Sequence, residues 1–98
     1  MTASAETDLA EIWSYVAAEA SQAIATRLVQ KIKSDFSPFC EFPQLGPARD
    51  QFATGLRVGF SGSYAIYYQP TETELVIVRV LHGARDAVAI SSRGGFVS

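Results

Sequence analysis

The chain has 98 residues, 48% of them apolar and 18% charged, which suits one domain with one core and excludes both a two-domain chain and a disordered one. No apolar run approaches the ~18 to 20 residues that cross a bilayer, and the N-terminus MTASAETDLAEIW carries acids where a signal peptide would carry lysines, so no membrane association and a cytoplasmic location are expected. The net charge of −2 divides unevenly, with six acids and three bases from Met1 to Ala48 and five arginines against four acids from Arg49 to Ser98. An all-arginine half suits recognition of carboxylate, phosphate or a partner protein, but it is too weakly basic for sequence-specific nucleic-acid binding on charge alone.

In chain order, Leu9, Ile12, Trp13, Val16, Ala17 and Ala20 follow the spacing of one apolar helical face, which predicts a first helix over about 4–20 with Trp13 in the core. Thr2 or Ser4 is the candidate N-cap, and Glu6, Asp8 and Glu11 complement the helix dipole near that end. Ser21 caps a second helix over about 22–40, whose stripe is Ile24, Leu28, Ile32, Phe36 and Phe39. Almost nothing joins the two helices, so they fold back as an antiparallel hairpin. Cys40, within FCEF, reads as a small apolar packing residue. As the single cysteine beside a single histidine it excludes an internal disulfide and gives no reason to propose a metal or cofactor. The prolines and glycine of FPQLGPARD, Phe42 to Asp50, end the helical part.

Three strands follow, at about 56–60, 63–69 and 74–82, and the tail from about residue 91 to 98 reads as flexible. Both connections, Ser61-Gly62 and Pro70 to Thr73, have even length, which sets the side-chain parity of plain hairpins. Arg57, Gly59, Tyr64, Ile66, Tyr68, Leu75, Ile77, Arg79 and Leu81 then share one face. Val58, Phe60, Ser63, Ala65, Tyr67, Val76, Val78, Val80 and His82 share the other. The valine-rich second face is the better seat for the helical hairpin, which leaves two arginines among tyrosines on the first. A bulge in any strand would break this inference.

Four segments in this order, TASAETDLAEIWSYV, FPQLGPAR, GLRVGFSGSYAIYY and VRVLHGARD, resemble the ParE branch of the ParE/RelE toxin superfamily. The resemblance implies an α+β fold, a helical hairpin packed on a small antiparallel sheet, and a bacterial toxin of a type II toxin–antitoxin system, of the kind that stabilises plasmids. It also implies DNA gyrase as target and a ParD-like antitoxin as neutralising partner. The RelE branch instead cuts messenger RNA on the ribosome, and a third alternative is a toxin-derived binding module that has lost toxicity. ParE-like chains usually open with a short strand before the segment that here reads TASAETDL. That strand is expected to be missing or truncated here, leaving a sheet edge open to pairing and a chain more easily obtained with its partner than alone.

Chemistry separates the branches. Cutting RNA through its 2′-hydroxyl needs a base or its electrostatic substitute, an acid for the leaving oxygen, and cations around the phosphate. RelE-like enzymes resembling this chain carry lysines just before the second strand, whereas here Lys31 and Lys33, the only lysines, fall on the second helix. The catalytic set is incomplete, so no catalytic residue is assigned. Candidates for contact with antitoxin or target are Arg57, Tyr64, Tyr68, Arg79, His82 and Arg85. Each has a plainer reading. The arginines can be pinned by carboxylates such as Asp50, Glu72 or Asp86, the tyrosines can be sheet packing, His82 can be structural, and Arg85 can pair with Asp86 after the Gly83 turn.

Overall fold

The computed structural model of the chain describes residues 1–83 and 87–96. Helix α1 spans Ala3–Glu19, with the Thr2 hydroxyl accepting from the Ala5 N–H, and α2 spans Gln22–Ser34, with the Ser21 hydroxyl accepting from the Ile24 N–H. Each cap satisfies one of the N–H groups that the first turn leaves without a partner. The second helix stops well short of residue 40, and a separate short helix, α3, spans Ser37–Glu41. Pro38 is the reason, because its ring lacks an N–H and clashes with the carbonyl four residues back. Trp13 is half-buried, and its indole N–H donates to the Thr26 hydroxyl at 3.1 Å. It clasps α1 to α2 instead of filling the core. Cys40 is exposed, since on α3 it is Phe39 that turns inward.

Strands β1 (Arg57–Ser61), β2 (Tyr64–Pro70) and β3 (Leu75–His82) form one antiparallel sheet in that spatial order. Both turns begin one residue later than the sequence suggests, yet remain even, and Gly62 takes the positive φ of +57° that the first turn requires. The decisive irregularity lies in β3. Tyr67 pairs with Arg79 while Tyr68 pairs with Ile77, so Val78 is an extra residue opposite no partner of its own. Parity therefore changes at Val78, and β3 presents Leu75, Ile77, Val80 and His82 on one face.

That change corrects the expected packing. The helical hairpin sits on the first face, where Ala5, Leu9, Ile32 and Phe39 bury Ile66, Tyr68, Ile77 and Val80. The second face is covered too, by the loop before β1 and by a last helix, α4 (Ala87–Ser92). Leu56, Val58, Ala65, Tyr67 and Val78 form that second core with Ala87, Ile90 and Phe96. Neither face is left as a solvated cationic surface.

Residues 91–96 are also not the loose tail that the glycines suggest. Phe96 is 1% exposed, its ring 4.6 Å from that of Tyr67 and 5.4 Å from that of Phe52. Among the described residues no helix is long and apolar enough to cross a membrane. Phe96→Ala should lower stability by about 3–5 kcal/mol in urea denaturation, whereas Phe60→Ala, at a site 57% exposed, should change it by less than about 0.5 kcal/mol.

Candidate functional site

The outer edge of β3 is where the helices and the sheet meet in polar contacts. Alternate N–H and C=O groups of an edge strand point away from the sheet and need partners. The start of α1 supplies them. The Thr2 N–H donates to the Ile77 carbonyl at 3.0 Å, the Thr2 hydroxyl donates to the Val78 carbonyl at 2.8 Å, and the Val80 N–H donates to the Asp8 carboxylate at 3.0 Å. No strand precedes α1 among the described residues, yet this stretch of edge is occupied.

Asp8 carries a second duty. Arg79 donates to its two oxygens through Nε at 2.7 Å and Nη2 at 2.8 Å, a planar two-bond pair. The Asp8 side chain is 7% exposed and that of Arg79 19%, so both charges are largely withdrawn from water and each needs the other. Its hydrogen bonding to Asp8 lifts the Arg79 guanidinium above its ordinary pKa despite its burial. Arg79 is thus pinned by a carboxylate, but one supplied by the first helix and not by Asp50 or Glu72.

Arg57 and Tyr68 belong to a separate clip on the crossing from α3 to β1. Arg57 Nη1 donates to the Gly46 carbonyl at 2.7 Å and lies 3.4 Å from the Gln44 carbonyl. The fully buried Tyr68 hydroxyl donates to the Pro43 carbonyl at 2.8 Å and accepts from the Gly46 N–H at 2.9 Å. A Cβ on residue 46 would lie 2.6 Å from that hydroxyl, so only glycine lets the loop come this close.

Tyr64 and His82 are directly opposite each other across β2 and β3, their rings edge to face at 5.2 Å. With Val80 and Leu81 they form one wall of a cleft of about 440 Å³, and Asp8, Glu11, Ile12 and Tyr15 of α1 form the other. Of the sequence candidates, therefore, Tyr64 and His82 are brought together, and Arg79 lies behind them through Asp8. Arg57 and Tyr68 are elsewhere, and Arg85 falls outside the described residues. Arg79 and His82 are three residues apart in the strand and point to opposite faces.

The α1 wall was missed by site reasoning, although it had a signal. Asp8, Glu11, Ile12 and Tyr15 stand at i, i+3, i+4 and i+7, one face of a helix beside the core stripe. Acids there complement the dipole, and that explanation absorbed them. Among the described residues no group of three or more His, Cys, Asp or Glu is placed to hold a metal. Lys31 is engaged by Asp35 at 2.7 Å, whose carboxyl is held below its usual range first by Lys31 and then by the Ser61 hydroxyl.

Removing one partner of the buried pair should be worse than removing both. Asp8→Ala should cost about 3–5 kcal/mol in chemical denaturation, because it strands Arg79 and the Val80 N–H. Adding Arg79→Met to that variant should restore part of the loss, and a double variant no more stable than Asp8→Ala alone would count against the pairing.

Comparison with known proteins adds three findings. The model of a family described as the ParE toxin of the type II toxin–antitoxin system parDE matches residues 1–87. No curated protein matches the chain. A solved chain from the chromosomal ParDE TA system of P. aeruginosa is similar in fold, with a TM-score of 0.73 and 20% identity, covering 84% of this chain and 90% of that one.

Proposed function

This chain belongs to the ParE toxin family of type II toxin–antitoxin systems, and from that premise we propose that it inhibits DNA gyrase without enzymatic chemistry of its own and is neutralised by a ParD-like antitoxin. On this reading it works in the bacterial cytoplasm, binds gyrase directly, traps it on DNA, and serves to retain the plasmid or locus that encodes it. It needs no cofactor.

The observation that supports a binding role over RNA cleavage is the engagement of Arg79 by Asp8 through two hydrogen bonds at 2.7 and 2.8 Å. A guanidinium that is to clamp a phosphate in a transition state must present its donors to that phosphate. Freeing Arg79 would abandon a buried carboxylate, a penalty of about 3–5 kcal/mol. Arg57 is held by backbone carbonyls, and His82 lies on the opposite face from Arg79. These groups do not converge on one reacting atom.

The test is a supercoiling assay with purified gyrase and the antitoxin-free toxin. Inhibition with linear DNA accumulating, both reversed by adding the antitoxin, is the expected result. Folded protein that leaves gyrase untouched would sink the proposal, and codon-positioned cuts in messenger RNA after induction would replace it with the ribosome-dependent nuclease.

A further inference from the structure

The cleft between α1 and the β2–β3 ladder has a chemistry that neither the fold nor the Asp8–Arg79 pair requires. Its floor is apolar, from Ile12 and Val80, and its rim carries rings from Tyr15, Tyr64 and His82. Tyr15 is 68% exposed, so its ring face is open to an incoming group. Glu11 is exposed at the same rim, close enough for its charge to act on Arg79. The Asp8 carboxylate at the back already accepts three hydrogen bonds, so the negative charge presented to an incoming group is that of Glu11.

A space of about 440 Å³ is large enough for one long side chain. An anionic group would meet the Glu11 carboxylate there. A purely apolar one would fill the floor but desolvate Glu11 without compensation. A long basic side chain satisfies every wall. Its methylenes cover Ile12 and Val80, its cationic end lies against the faces of Tyr15 and Tyr64, and Glu11 is its counter-ion.

We propose that this cleft is a receptor for one arginine or lysine side chain of the antitoxin. The inference rests on the reading of the chain as an antitoxin-bound toxin and deepens it, by naming the residue type that the partner must insert. Arginine fits better than lysine, since its planar end can stack on tyrosine and still bond to a carboxylate.

The experiment is a double-mutant cycle on the toxin and its cognate ParD-type antitoxin. Toxin variants Glu11→Gln and Tyr15→Ala, both at exposed positions and checked for unchanged melting, are titrated against antitoxin variants with each basic residue replaced in turn by Gln. The expected result is a roughly tenfold weaker complex for each toxin variant. One antitoxin residue should cause a similar loss and little more when combined with Glu11→Gln. If every basic residue of the antitoxin adds its effect independently of Glu11 and Tyr15, the cleft is not its receptor, although the toxin–antitoxin reading stands. If the unaltered toxin fails to bind the antitoxin at all, that reading falls and this inference with it.

Discussion

Asp8 is the point at which the two halves of the fold are tied. A helix can be laid on a sheet in several positions with similar apolar burial, because hydrophobic contact is not directional. What selects one position is a polar match. The carboxylate must take the Val80 N–H and both donors of Arg79 at once, and only one placement of α1 along β3 allows it. Thr2, a turn and a half earlier, then falls on Ile77 and Val78, so one helix both covers the sheet and finishes its edge. A pair of this kind adds little net stability over well-packed apolar side chains, but breaking it is expensive, and that asymmetry makes it a device for specificity.

The extra residue at Val78 has the next largest consequence. Without it Val80 would point away from the helices, and Ile77 and Val80 could not both enter the core with Ile66 and Tyr68. With it the sheet is buried on both sides. A chain this small gains by that arrangement, since a sheet covered on one side alone would leave Leu56, Val58, Tyr67 and Val78 in water. The covering on the second side comes from the end of the chain, and Phe96 closes it against Phe52 and Tyr67.

Function follows from which polar groups the fold consumes. Arg57 and Tyr68 hold the crossing loop, Arg79 holds α1, and Lys31 closes the end of α2. These three cations are thus each committed to architecture at a separate place. The cleft of Glu11, Tyr15, Tyr64 and His82 is accessible, and it is acidic and aromatic. On the proposed reading, such a surface serves to recognise a partner.

The sequence by itself determined whatever depends on near neighbours. The helical stripes, the Thr2 and Ser21 caps, the proline break and the Gly62 turn are all decided within a few residues, and each is legible as a pattern. The resemblance to a toxin family was legible for the same reason, as four local segments in order. Tertiary structure alone decided the rest. Asp8 and Arg79 are 71 residues apart, and nothing in either segment names the other. The run VIVRV, Val76 to Val80, reads identically with or without a bulge, because its valines suit either face. Phe96 follows two glycines and looks like a tail, yet an aromatic pocket assembled from Phe52 and Tyr67 was waiting for it. The cleft required α1 and β3 to be brought side by side, and that proximity arises from long-range burial and one buried ion pair, which have no periodicity along the chain.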